Sequence, residues 1–222
     1  MIRDARVVAS KDLLVEWRSR VLINQVAPFT LLIVVLLGFA LDANTTALRD
    51  TAPGLFWVAV LLVAVLAVQR SAAIEVADEA SQRMLLSQLR PAAIFLGKTT
   101  ALFVQLLALE VLLAASMVLL FDISIAEPAL MAVSAVVATI AIAAAGTIYG
   151  VLAAGVGVRE TLLPILLLPV LAPVLIGATS AFGDAFDRVD ADGWAWLGLL
   201  GTFAVIYLFI GVLAYGLLLE ES

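Results

Sequence analysis

Glu110 is the side chain best placed to do chemistry. It sits mid-way through an apolar run, Gly97–Leu120, that is long enough to cross a bilayer. At that depth an ionised side chain costs about 2.5–3.5 kcal/mol on insertion scales, so such a residue is a functional candidate by default. Its spacing names no partner, because Lys98 lies too far down the same helix. Glu110 is therefore expected to be protonated, to pair with a hydroxyl such as Ser116, Thr139 or Thr147, or to face a wet cavity. Two roles stay open: a part in transport, or a plain inter-helix hydrogen bond, which is what many intramembrane polar contacts amount to. Other chemistry is scarce. The chain has no Cys and no His, which removes disulfides, thiolate nucleophiles, the usual proton shuttle and the commonest metal ligand. No Walker A loop, zinc signature, catalytic triad or dinucleotide fingerprint is present. An intramembrane enzyme fails for want of paired catalytic residues. Any ATP hydrolysis belongs to another polypeptide, and no nucleic acid is expected as a partner.

The second concentration of polar side chains is the segment Arg70–Lys98, the one long charged loop in an otherwise apolar chain. Within it, roughly over Ala72–Leu89, the pattern predicts a helix. Glu79 and Arg83 form an i,i+4 pair, Ile74, Ala77, Ser81 and Leu85 lie close to one stripe, and Met84, Leu85 and Leu86 make an apolar end. Together with Glu75 and Asp78, these residues describe a short helix parallel to the membrane that fits a cleft in a soluble ATPase. An ordinary solvated loop is the plain alternative.

The elements that must position these groups follow from composition. With 64% hydrophobic and 14% charged residues, the chain reads as an all-α integral membrane protein. Backbone in lipid must satisfy its own hydrogen bonds, and no run shows the alternation of a barrel. Six transmembrane helices are expected: Val21–Leu41, Pro53–Gln69, Gly97–Leu120, Ala129–Val156, Leu162–Phe182 and Trp194–Leu219. The first is too long and too heavily preceded by charge for a cleaved signal peptide. With the N-terminus inside, ten Lys and Arg fall on cytoplasmic segments and two, Arg49 and Arg188, on outer loops. Both termini are therefore expected in the cytoplasm.

Residues 1–20 carry Ile2, Ala5, Ala9, Leu13 and Trp17 on one side of a helical wheel, which suits an interfacial helix. Pro53 is expected to open the second span after an outer loop Asp42–Thr51. Gly146 and Gly150 form a GxxxG pattern for close helix packing, within the subunit or between subunits. Pro164, Pro169 and Pro173 are expected kinks in the fifth span. Residues 180–194 read as a short amphipathic element dipping into the outer leaflet, with Phe182, Phe186 and Val189 at helical spacing. No separate soluble domain is expected within 1–222, which reads as a single transmembrane permease domain.

In order and spacing these segments resemble the heme exporter protein B (CcmB) family, the ABC-transporter membrane subunits of cytochrome c maturation. The carriers are Lys11-Asp-Leu-Leu-Val-Glu-Trp-Arg-Ser-Arg20, Ala52-Pro-Gly-Leu-Phe-Trp-Val-Ala59, Glu75, Asp78, Met84-Leu85-Leu86, Pro91, Gly97-Lys98, Glu110 and Leu163-Pro-Ile-Leu-Leu-Leu-Pro169. Family members often have Asp-Gly where this chain has Asp78-Glu79. The resemblance implies a six-span permease of the ABC-2, type V exporter-like kind in the plasma membrane. It would pair with a cytoplasmic ABC ATPase and work beside a second heme-handling membrane subunit and an outer-face heme chaperone; a homodimer is a further possibility. Rival readings are an ABC-2 exporter for a drug, lipid or polysaccharide, and a membrane assembly scaffold that moves nothing. The resemblance implies heme export or ATP-driven release of the heme-loaded chaperone, with heme as a candidate substrate and ATP acting through the partner. Without His or Cys, no cofactor is expected to be held tightly by this chain.

Overall fold

A computed structural model describes residues 1–20, 22–42, 44–77, 89–154, 159–187 and 192–221. Seven α-helices account for nearly all of them: α1 Ile2–Ser19, α2 Ala27–Ala40, α3 Thr45–Ala77, α4 Pro91–Phe121, α5 Pro128–Ala154, α6 Arg159–Ala185 and α7 Gly193–Glu221. A π-turn, Leu22–Val26, joins α1 to α2. Helices α3 to α7 are each long and apolar enough to cross a membrane. The expected first span is a broken element: α2 has only 14 residues, and α1 meets it at an angle of 56°. Arg20 in the left-handed region, with φ 53°, ends α1 and begins that bend.

The second and third spans run well past their expected limits. Helix α3 begins at Thr45, where the Asn44 side chain accepts from the amides of Thr46 and Ala47, as an N-cap does. Pro53 therefore lies inside the helix and does not open it. The expected outer loop Asp42–Thr51 shrinks to a turn. At its other end α3 continues through Arg70 to Ala77, and α4 starts at Pro91, not Gly97. The connecting segment is thus 78–90. Lys98, expected at the very start of the third span, stands two turns inside α4.

Helix α5 is the hub, touching α3, α4, α6 and α7. Its Ala138, Ala141, Ala143, Ala144 and Ala145 have no exposed surface, and such small side chains let neighbouring backbones approach closely in lipid. Large apolar side chains cover the periphery, among them Leu119, Phe209, Leu213 and Leu217. That surface suits contact with acyl chains.

Two ends of the bundle are distinct. At one, Arg49 of α3 pairs with Asp122 after α4, and the amides of Ala126 and Glu127 donate to the Ala185 carbonyl that closes α6. The other carries α1, the last described turns of α3, the start of α4 and the end of α7. The amphipathic element expected over 180–194 does not form as such. Helix α6 continues to Ala185, and Phe182 and Phe186 are buried against each other; Phe182 also packs on Phe56 and Trp57 of α3. Their helical spacing is that of a core stripe; Val189 lies outside the described residues.

Candidate functional site

Helix α1 crosses α4 at Gly97. A Cβ there would stand 2.6 Å from Val8 Cβ and 2.7 Å from the Ala5 carbonyl oxygen, so only glycine permits this approach. The buried face of α1 is Val8, Ala9 and Glu16, with Ala5 and Asp12 half-buried beside them. The expected stripe is therefore split. Ala5 and Ala9 belong to the face on α4, whereas Ile2 and Trp17 are 72% and 75% exposed.

Glu16 is buried in this face, whereas Arg3, Arg6 and Arg18 of α1 are exposed. Glu16 Oε2 accepts from Arg70 Nε at 3.1 Å, and Arg70 also donates to the Ser19 hydroxyl at 3.0 Å. Asp12 pairs with Lys11 at 3.0 Å. Helix α1 thus grips both flanks of the α3–α4 connection: the α3 flank through Arg70 and the α4 flank through Gly97. Asp78, Glu79, Arg83, Met84, Leu85 and Leu86 lie outside the described residues. So does most of the expected Ala72–Leu89 helix, although the backbone of Glu75 falls within the last turn of α3.

Glu110 is buried at mid-bundle, 4% exposed. The Thr139 hydroxyl lies 2.7 Å from its Oε1. Its Oε2 has no hydrogen-bond partner among the described residues. Thr30 of α2 and Val60 and Val63 of α3 line the same tight space. Of the other hydroxyls considered, Ser116 back-bonds to Leu112 in its own helix, and Thr147 accepts from Thr99 at 3.3 Å. Neither serves Glu110. The carboxyl therefore ties α4 to α5.

The glycines of the GxxxG pattern pack within the chain. A Cβ on Gly146 would lie 2.6 Å from Val68 Cγ2, and one on Gly150 would lie 3.3 Å from Val68 Cγ1. Pro164, Pro169 and Pro173 all stand inside a continuous α6. A proline frees the carbonyl four residues before it, and Tyr207 of α7 donates to the Val170 carbonyl at 2.7 Å, one residue past the carbonyl that Pro173 frees. Tyr207, Tyr215, Lys98 and Glu16 are the polar residues that sequence reading missed. The signal for Glu16 and Lys98 was present, since each lies in a segment quoted for the family resemblance.

The chain has no match among curated proteins. The family profile described as CcmB protein matches residues 3–222, from the first turn of α1 to the last residue. The grip of α1 on α3 and α4, Glu110 and the α6 prolines all fall inside that match, and the chain belongs to the CcmB (heme exporter protein B) family.

Proposed function

We propose that this chain is the membrane permease subunit of an ABC-type complex in cytochrome c maturation, with ATP hydrolysis in a separate cytoplasmic subunit. The family is one of heme-exporter membrane subunits, and the fold is that of a multi-pass membrane protein. The observation that carries the reading is the double grip of α1. A soluble motor needs a handle that is rigidly tied to the spans. Residues 78–90 leave α3 and enter α4 between two α1 contacts, Glu16–Arg70 and Val8–Gly97. A push on that segment therefore reaches α1, and through the π-turn reaches α2, without relying on either flank alone.

In this reading both termini and residues 78–90 face the cytoplasm, as the distribution of Lys and Arg favours. Helix α1 lies in the inner interface with Trp17 at headgroup level. A second heme-handling membrane subunit and an outer-face heme chaperone are the remaining partners, and a second copy of the chain is compatible with two motor domains. Heme is a substrate of the complex, ligated by a partner. The stroke serves heme export or release of the loaded chaperone.

The test is co-purification of the ATPase with the full chain carrying Met84→Asp, Leu85→Asp and Leu86→Asp together. Loss of the ATPase with normal membrane insertion is expected, because insertion depends on the spans. ATPase recovered at wild-type yield would overturn the docking assignment.

A further inference from the structure

Helix α1 is basic in an acidic chain. Residues 1–20 hold five Lys or Arg and three acids, whereas the rest of the sequence holds seven and fifteen. Every acid of α1 already has a cation beside it. The Met1 amino group lies 3.2 Å from Asp4, Lys11 lies 3.0 Å from Asp12, and Arg70 of α3 lies 3.1 Å from Glu16. Arg3, Arg6 and Arg18 make no ion pair among the described residues, and all three are exposed.

Their position matters as much as their charge. At about 3.6 residues per turn, Arg3, Arg6 and Arg18 fall in the half of the helix opposite Val8, Asp12 and Glu16. Val7, Leu14 and Trp17 stand among them and are exposed too. Arginine interleaved with Trp and Leu along about 27 Å of an 18-residue helix suits the boundary of a bilayer. Rings and aliphatic carbons enter below the headgroups, and guanidinium groups fork onto phosphate oxygens. Bulk water would leave the apolar side chains without a match, and acyl chains alone would leave the arginines without one. A zwitterionic headgroup carries its own ammonium beside the phosphate, so an anionic headgroup neutralises these arginines better. The face cannot roll away, because the opposite face is held at Gly97 and by Arg70.

We propose that the outward face of α1 is a docking surface for anionic phospholipid, with headgroup phosphates on Arg3, Arg6 and Arg18 and with Val7, Leu14 and Trp17 seated below them. The inference rests on the reading that α1 lies in the cytoplasmic interface. Anionic lipid then presses α1 against the Gly97 crossing, so lipid composition sets how firmly α1 grips α3 and α4.

The test is hydrogen exchange of the full chain, without partner subunits, in nanodiscs of phosphatidylcholine alone or with one third phosphatidylglycerol. A basic side chain near an anionic leaflet is worth about fivefold in binding. The amides of residues 2–19 should therefore exchange at least about fivefold more slowly with phosphatidylglycerol, and high salt should shrink that difference. The triple variant Arg3→Gln, Arg6→Gln and Arg18→Gln should lose it, with exchange in α5 unchanged as the sign of an intact bundle. Arg3→Lys, Arg6→Lys and Arg18→Lys together should keep most of it. Equal exchange of α1 in the two lipids, or a phosphatidylglycerol effect undiminished in the Gln variant, would overturn the proposal. So would protection that appears in both lipids only when partner subunits are added, which would give this face to a protein. No ATPase is present in the measurement, so its outcome is separate from that of the Met84, Leu85 and Leu86 variant.

Discussion

Arg70 Nε donates to Glu16 Oε2 at 3.1 Å, between two side chains only 25% and 10% exposed, and so ties α1 to the C-terminal part of α3. Exposed ion pairs contribute about 1 kcal/mol at most, whereas removing one partner of a buried pair costs about 3–5 kcal/mol. This pair lies between those limits. Arg70→Gln or Glu16→Gln should lower stability by about 1–2 kcal/mol, and should lower ATP-driven activity of the assembled complex more than it lowers subunit yield. The exchange Glu16→Arg with Arg70→Glu should recover much of the lost activity. A swapped protein as defective as either single variant would mean that the pair's geometry transmits nothing.

Glu110 and Thr139 give the second expectation. The amide of Glu110→Gln keeps a group that can bond to the Thr139 hydroxyl, so stability should change by less than about 1 kcal/mol. Glu110→Leu and Thr139→Val each remove the link between α4 and α5, a contact worth about 0.6–2 kcal/mol in membrane bundles. If Glu110 serves only as a tie, Leu and Val variants should lose stability alike and keep activity in proportion. A Leu variant that folds as well as the Val variant yet is far less active would show that the second carboxyl oxygen, without a partner among the described residues, has work of its own. Parallel unfolding and activity measurements separate the two.

The crossing at Gly97 leads to a third. The nearest atoms to an added Cβ are Val8 Cβ and the Ala5 carbonyl oxygen. The latter is backbone, which cannot rotate away. Gly97→Ala should therefore lift α1 from α4, at about the 1–3 kcal/mol typical of overpacking, while the spans remain inserted. Limited proteolysis should cut the first 20 residues faster in the variant than in the wild type. An unchanged cleavage rate would show that α1 adjusts by sliding.

What was legible in the sequence was whatever depends on composition over a long window. The runs around Val60, Leu106, Ala141, Leu171 and Leu208 each required a helix in lipid, and each is one. Helix ends were harder. Pro53 reads as a first-turn residue, yet Asn44 caps the helix nine residues before it, because two further turns find partners such as Arg49–Asp122. Lys98 reads as the first charge of a span that opens at Gly97, but α4 begins at Pro91 and carries Lys98 two turns in. Phe182 and Phe186 obey a helical period that cannot tell lipid from protein; only the position of Trp57 decides it. Glu110 was legible as an anomaly, and Thr139 was one of three hydroxyls that suited it. The faces of α1 were not legible, since Glu16 pairs with Arg70, far along the chain.

Phe95 and Gly211 make a fourth expectation. The Phe95 ring fills the place that a Gly211 side chain would take, where an added Cβ would overlap the ring. Gly211→Ala should destabilise the α4–α7 contact by about 1–3 kcal/mol. Adding Phe95→Leu should relieve part of that loss, giving non-additivity of the size seen for touching residues, about 0.5–3 kcal/mol. Strict additivity in thermal unfolding would show that the ring moves away freely.

The last expectation concerns heme. Heme iron is held in proteins by His, Cys, Met or Tyr, and this chain offers only the last two, four Met and three Tyr. Met117 is 2% exposed among apolar side chains, Tyr207 is bonded to a carbonyl of α6, and Tyr215 has no exposed surface. The side chains of Met131 and Tyr149 are partly buried and pack against the core. The purified chain alone should therefore give no sharp low-spin heme spectrum that survives washing. Heme absorption should appear with the partner subunits and follow mutation of their ligands. A wash-resistant low-spin spectrum in the isolated chain, lost on replacing Met117, Met131 or Tyr149, would make it a ligand-bearing heme protein. It would also move the binding step from the neighbouring subunits into this bundle.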